Sequence, residues 1–175
     1  MGRTEAAIVV AAAAFLALVV VTFRAPAQRE NLPRPAPEFR LPSLGGDSVS
    51  LGERRGHPVL VNFWATWCPP CVEETPALVA LDRKLRSRGL EVLGVSMDEE
   101  EAPLRAFVDR YQLGYRVLRD PTAATAHRYG TYKYPETYLV DATGQIIRRW
   151  VGAVDWARTD VMKDIEDAIL PAGVK

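Results

Sequence analysis

The chain alternates between short, almost continuously apolar stretches and longer stretches in which leucines recur at helical spacing. Two apolar stretches, 58–65 and 90–97, are typical of strands buried on both faces of a sheet. Between them, leucines at intervals of three and four predict a helix that Gly89 ends. These leucines are Leu78, Leu81 and Leu85. The order strand, helix, strand predicts a right-handed parallel crossover.

The second half of the chain continues this alternation. We predict helices at 101–113, 122–129 and 157–170, and strands at 115–118, 137–140 and 145–151. The last two strands flank Asp141 to Gly144, which is a hairpin signal. Two further strand-like pieces surround the turn at Gly45–Asp47. The assembled prediction is an α/β fold in which helices flank a mixed central sheet.

The N-terminal part has a different pattern. Residues 6–23 carry no charge, and a helix of that length reaches about 27 Å, close to the ~30 Å hydrocarbon core of a bilayer. This favours an uncleaved transmembrane signal-anchor after a short segment at 1–5, with a cleaved signal peptide ending near "APA" (25–27) as the alternative. The proline-rich stretch 24–36 predicts a semi-rigid tether, and 37–172 the globular domain.

Composition excludes some functions. The 22 basic and 22 acidic side chains balance, so the basic surface that nucleic acid requires is absent. With 48% hydrophobic residues, the chain can bury a core without a disulfide framework. The two cysteines stand two residues apart and close too small a loop for such a framework.

The two cysteines and the prolines between them, "CPPC" at 68–71, follow the first buried strand and begin the helix. Cys68 is then the N-cap and Cys71 the third helical residue, because prolines suit the first helical turn. The helix dipole and the Cys71 amide, aimed at the Cys68 sulfur, favour the reactive thiolate. We expect Cys68, at the exposed tip, to attack a substrate disulfide and Cys71 to resolve the mixed disulfide. Trp67 would shield Cys68 and contact a partner.

A metal site or a purely structural disulfide is the competing use of this cysteine pair. A closed zinc site needs four ligands, and a second CxxC is missing. The two histidines, His57 at a strand entry and His127 in a short helix, are typical of ordinary surface or half-buried side chains. We therefore predict no metal. The loop is also too short to constrain much unfolded-chain entropy.

"VLVNFWATWCPPC", Pro76, and "YPETYLVDATGQIIRRWVG" together resemble the thioredoxin fold, and most closely its membrane-anchored TlpA/ResA/CcmG-type thiol–disulfide reductases. The resemblance spans roughly 35–170. It implies a cis bond at Pro135, opposite the active site, and pairing of the Tyr134 backbone with the substrate; a trans strand-entry proline is the alternative. The two helices and the strand predicted between Ser96 and Pro135 resemble the segment that this group inserts before the cis-proline.

One family position differs here. Thioredoxin-like sequences often have a buried Asp six residues before the first cysteine, where this chain has Asn62, which cannot titrate. The pattern Cys71-x-x-Glu74-x-Pro76 resembles the one in which the family uses the glutamate as an acid/base near the thiols. Partial burial would raise the pKa of that carboxyl. In the alternative, Glu74 and Glu73 simply complement the helix dipole in solvent.

The resemblance implies an extracytoplasmic reductase, tethered by one span to the cytoplasmic membrane. Its partners would be disulfide-containing proteins, with apocytochrome c before haem attachment as one candidate, and a membrane thiol electron donor; no cofactor is implied. An oxidase or isomerase of the same fold is the alternative. A peroxidase of the peroxiredoxin type would need a hydroxyl side chain three residues before its reactive cysteine. This chain has Ala65 at that position before Cys68. A copper chaperone would need a histidine ligand near the cis-proline loop, and residues 131–136 of this chain contain none.

Overall fold

A mixed sheet of six strands organises the part of the chain that the computed structural model describes, residues 31–170. The six strands of this sheet are β1 (Arg34–Pro35), β4 (Val59–Trp64), β5 (Glu91–Ser96), β6 (Arg116–Arg119), β7 (Glu136–Val140) and β8 (Gln145–Val151). Two more strands, β2 (Arg40–Pro42) and β3 (Ser48–Ser50), lie outside it. The helices are α1 (Pro69–Leu85), α2 (Glu101–Tyr111), α3 (Ala124–Tyr129) and α4 (Thr159–Ile169).

The strand order is β1-β8-β7-β4-β5-β6, which puts β4 at the centre. β4 pairs in parallel with β5 and antiparallel with β7, so that Asn62 lies between Gly94 and Thr137. β7 and β8 form the predicted antiparallel hairpin. The parallel crossover through α1 and the mixed sheet are confirmed, as is the inserted segment: α2, β6 and α3 lie between Ser96 and Pro135.

Burial explains why these segments form these elements. All six residues of β4 are buried, as expected of a central strand whose sequence is almost wholly apolar. The three leucines that predicted α1 are buried on its inner face. A short 3-10 turn, Arg86–Arg88, follows α1, and Gly89 then adopts the left-handed conformation (φ 101°) that suits glycine. The sequence pattern therefore predicted both the strand and the end of the helix.

β2 and β3 form a small separate hairpin. It lies against the edge of the main sheet, where Ser43 bridges to Leu118 of β6. The backbone amide of Leu44 also donates to the carbonyl oxygen of Val117 at 3.0 Å. The hairpin therefore occupies part of the open edge of β6.

The start of the folded domain differs from the prediction. Arg34 and Pro35, placed in the tether, pair with β8 as strand β1, and Ala36 is buried; the compact unit begins at Leu32. The segment at 1–5 and the anchor predicted at 6–23, with most of the tether, lie outside the described residues. Within 31–170, no helix combines the length and apolar character that a membrane span needs.

Candidate active site

The cysteine pair lies where the prediction put it, at the start of α1. Cys68 is the N-cap, Pro69 and Pro70 form the first helical residues, and Cys68 and Cys71 are joined by a disulfide with their Cα atoms 5.3 Å apart. The chain leaves β4 and reaches Cys68 through a short loop, Ala65–Trp67. Both sulfurs therefore lie at the N-terminal end of a 17-residue helix, shortly after the central strand, where the helix dipole is positive.

Two expectations about Cys68 are corrected. Cys68 is not an exposed tip: it is 5% exposed and Cys71 is 1% exposed, so the two sulfurs differ only slightly in access. The Cys71 amide does not donate to the Cys68 sulfur, which is bonded to the Cys71 sulfur in this oxidised form. It donates to the Cys68 carbonyl oxygen at 3.0 Å, which is the first hydrogen bond of the helix.

A buried aspartate holds the loop that precedes Cys68. The Asp98 carboxylate accepts hydrogen bonds from the Thr66 amide (3.0 Å), the Thr66 hydroxyl (2.5 Å) and the Ser96 hydroxyl (2.7 Å). Asp98 is 4% exposed, and burial of this kind requires such a set of donors. These bonds fix the backbone one residue before Trp67, whose side chain is 63% exposed.

The loop before β7 approaches the cysteines from the other side. The Tyr134–Pro135 peptide bond is cis, as predicted, and Pro135 is buried while Tyr134 is half-buried. The Tyr134 ring meets the Trp67 ring edge-on, with centroids 6.2 Å apart. The structure therefore brings together two distant segments that the sequence analysis singled out, Trp67 with the cysteine pair and Tyr134 with Pro135.

Glu74 lies one turn along α1 from Cys71 and is only 5% exposed. One carboxylate oxygen accepts from the Asn62 side-chain amide (3.1 Å) and the other from the Val154 backbone amide (2.9 Å). Asn62 also donates to the Thr137 hydroxyl at 2.8 Å. The alternative in which Glu74 lies in solvent is therefore wrong for Glu74, although Glu73 is exposed and fits it.

The surroundings of Glu74 raise its pKa to about 7. Burial is the main cause, because an ionised carboxylate loses its hydration there. The Val154 amide, the Asn62 side chain and the neighbouring Trp156 indole stabilise the ionised form and limit the rise in pKa. A carboxyl group with this pKa exchanges a proton near neutral pH.

The histidines take no part in this site. His57 and His127 are both exposed, and His57 lies at the entry to β4, away from its cysteine end. Among residues 31–170, the His, Cys, Asp and Glu side chains form no group of three or more that could hold a metal ion.

Comparison with known proteins identifies the family to which this chain is similar. The model of the AhpC/TSA family matches residues 32–149. The thioredoxin-like protein YneN of Bacillus subtilis (strain 168) is 37% identical over 134 residues, which cover 75% of this chain and 78% of the relative. The thiol-disulfide oxidoreductase ResA of Bacillus thuringiensis (strain Al Hakam) is 30% identical over 130 residues, which cover 74% and 75%.

The chain belongs to the AhpC/TSA family. A solved thiol:disulfide interchange protein of the thioredoxin family from Chlorobium tepidum TLS superposes with a TM-score of 0.69 at 28% identity, over 79% of this chain and 97% of that one. This AhpC/TSA family member is therefore a thiol–disulfide oxidoreductase with a thioredoxin-like fold, and the resemblance to ResA-type proteins is confirmed.

Sequence reasoning missed several groups in the site of this AhpC/TSA family member. Asp98, the Val154 amide and Thr137 were not singled out, and Asn62 was noted only as a group that cannot titrate. A signal for Asp98 was present: it follows the buried strand β5, whose carboxyl end lies at the same sheet edge as that of β4 because the two are parallel. No local signal marks Val154, which contributes only its backbone.

The burial of Glu74 predicts that the free energy of unfolding depends on pH. The folded pKa, about 7, exceeds the ordinary value of 4.5, so the folded state holds the proton more tightly. This contribution to stability is complete below pH 4.5 and is lost as the pH rises through 7, an expected loss of about 3 kcal/mol. In Glu74→Gln this contribution is absent, because an amide does not titrate in this pH range.

Urea unfolding of the oxidised protein at pH 5 and pH 8 measures this difference. Glu73→Gln is the matched control, because Glu73 is exposed on the same helix and should leave the pH dependence of the wild type unchanged. Equal pH dependence in Glu74→Gln and the wild type would show that the Glu74 pKa is not raised.

Proposed function

We propose that this chain is a membrane-tethered thiol–disulfide reductase that acts outside the cytoplasm and reduces disulfides in other proteins. The observation that carries the proposal is the disulfide at the start of α1, with the ring of Tyr134, the residue before cis Pro135, against Trp67. The buried carboxyl of Glu74 lies one helical turn after Cys71. The uncharged sequence at 6–23 supports the tether. Relatives named thiol-disulfide oxidoreductase ResA support the chemistry.

In the first step, the Cys68 thiolate of the reduced protein attacks one sulfur of a substrate disulfide. The substrate disulfide breaks, a Cys68–substrate disulfide forms, and the released substrate thiolate takes a proton. The positive end of α1 stabilises the attacking thiolate. Tyr134, in the loop before Pro135, offers its backbone to the substrate strand, and Trp67 offers an exposed ring.

In the second step, Cys71 gives its proton to the Glu74 carboxylate, and its thiolate attacks the Cys68 sulfur. The Cys68–substrate bond breaks, the second substrate sulfur leaves as a thiolate that takes a proton from solvent, and the disulfide between Cys68 and Cys71 forms. Two electrons have then passed from the protein to the substrate. A membrane dithiol donor would return two electrons to the disulfide and so regenerate the reduced protein.

Cys71→Ser tests the proposal, because without the resolving thiol the substrate should stay bound to Cys68. We expect the full-length variant, expressed in bacteria, to accumulate higher-mass protein adducts that dithiothreitol releases. The matched control, Cys68→Ser/Cys71→Ser, should accumulate none, since the chain has no third cysteine. The absence of adducts from Cys71→Ser would contradict the proposed reaction with protein disulfides.

The same variant tests the location. In intact spheroplasts of a bacterium that carries Cys71→Ser, dithiothreitol first releases the adducts from Cys68. After the dithiothreitol is removed, a membrane-impermeant maleimide should reach the freed thiol of Cys68. Because Cys68 is only 5% exposed in the folded domain, labelling of the purified variant provides the reference rate. Labelling that occurs only after lysis would contradict a domain outside the cytoplasm.

A further inference from the structure

An ion pair with a fully buried carboxylate and a partly buried guanidinium adjoins the cis-proline, and the reaction above does not use it. Glu136 follows Pro135 and is 0% exposed. Its Oε1 accepts a hydrogen bond from Arg149 Nε at 2.6 Å and another from the Tyr138 hydroxyl at 2.5 Å. Arg149 comes from β8, the strand that pairs with β7, and its side chain is 20% exposed.

This pair reaches the backbone of residues 130–134, which we call the rim loop. The Tyr132 amide donates to the second Glu136 carboxylate oxygen at 3.3 Å, and Arg149 Nη2 donates to the Gly130 carbonyl oxygen at 3.3 Å. The Arg149 guanidinium also lies over the Tyr132 ring, 5.4 Å from its centroid. The two charged side chains therefore hold the loop at two backbone positions and at one ring.

Tyr138 extends the network to the start of the loop. Its hydroxyl donates to the Glu136 carboxylate, lies 3.3 Å from the Thr131 hydroxyl, and is 3.2 Å from the carbonyl oxygen of Tyr129, the last residue of α3. The rim loop is thus joined to the sheet along most of its length.

The rim loop and the segments that contact it carry exposed apolar side chains. Among the described residues, the exposed large hydrophobic side chains are Trp67, Tyr132, Val151 and Leu170. Three of the four belong to segments that meet at the cis bond: Tyr132 lies in the rim loop, Trp67 touches Tyr134, and Val151 pairs with Glu136. Apolar side chains grouped around one loop offer contact surface to another molecule.

Stability alone does not account for the ion pair. Removing two charges from water costs free energy that their attraction offsets only in part, so a well-packed apolar pair would serve the core as well. A charged pair with forked donors can instead fix several backbone groups at once, and a fixed loop loses less conformational entropy when a ligand binds.

We propose that Glu136 and Arg149 are positioning residues that hold the rim loop in shape to recognise an extended polypeptide with an apolar or aromatic side chain beside its disulfide cysteine. This inference rests on the proposed reduction of protein disulfides and names the substrate feature that the site selects. Small disulfides, which do not reach Tyr132, gain nothing from the ordered loop.

The test uses the double variant Glu136→Gln/Arg149→Met, which removes both charges and leaves no unpaired one in the core. The pre-reduced protein is mixed with insulin, and the tryptophan fluorescence change of a single turnover is followed against insulin concentration. We expect the concentration at half-maximal rate, the counterpart of KM, to rise ~10-fold, with little change in the maximal rate. The rate with 2-hydroxyethyl disulfide should change less than about twofold.

Arg148→Met is the matched control, because Arg148 adjoins Arg149 in β8 but pairs with Asp164 of α4. It should leave both rates unchanged. Arg149→Lys, which keeps the charge and loses the fork, should shift the half-maximal concentration in the same direction as the double variant. Thermal unfolding of each variant confirms that it is folded.

An insulin dependence equal to that of the wild type in the folded double variant would overturn the inference. An equal loss with insulin and with the small disulfide would also overturn it, because the pair would then support the whole site and not recognition. A wild-type protein that reduces neither substrate would instead overturn the proposed function, and the inference with it.

Discussion

Replacing Cys68 with serine is expected to abolish disulfide reduction, with a fall in rate of ~10³-fold or more. The hydroxyl of serine stays protonated at neutral pH, and nothing in the described site places a base beside it, whereas a thiol at the start of α1 ionises readily. The measurement is the single-turnover rate of the reduced variant with 2-hydroxyethyl disulfide, followed by the appearance of free thiol.

Cys71→Ser is the informative control, since it removes the other sulfur. It should keep the first step and form one equivalent of mixed disulfide on Cys68, without completing the turnover. The reverse result, attack by Cys71 in the Cys68→Ser variant, would show that the two roles are exchanged. The experiment is needed because the two sulfurs differ so little in exposure, 5% against 1%.

Glu74→Gln is expected to slow the second step by about fourfold at pH 8, where a thiol of ordinary pKa is about one-quarter thiolate. With its pKa raised to about 7 by burial, Glu74 is ionised at pH 8 and can accept the Cys71 proton, which glutamine cannot. The rate at which the wild type closes its disulfide should therefore rise with pH and level off above about 7. In the variant, the rate should keep rising toward the ordinary thiol pKa of about 8.5.

Stopped-flow measurement from pH 5 to pH 9 distinguishes these profiles. Glu73→Gln, on the exposed side of the same helix, should follow the wild type at every pH. A Glu74→Gln profile that also levels off near pH 7 would mean that another group accepts the Cys71 proton.

Local pattern was sufficient for the elements that build the site. The apolar run of β4, the spacing of the leucines in α1 and the left-handed glycine that follows were all readable, because each depends on a residue and its near neighbours. The same holds for Cys68 as N-cap, since two prolines after it leave few other places for the helix to begin.

The remaining features depend on contacts between distant segments. β1 has two residues and no alternating pattern, and it forms only because Ile146 and Gln145 of β8 lie opposite it. The pairing of Glu136 with Arg149 likewise requires the register of β7 on β8. The contact of Trp67 with Tyr134 was missed for the same reason, because the two residues are more than 60 positions apart along the chain.

The β2–β3 hairpin has a consequence for association between molecules. A bare strand at the margin of a sheet invites strand addition from a second molecule. Here the bridge from Ser43 to Leu118 and the bond from Leu44 to Val117 already satisfy part of the β6 backbone. The hairpin thus limits the addition of a strand from a second molecule along this part of the β6 edge.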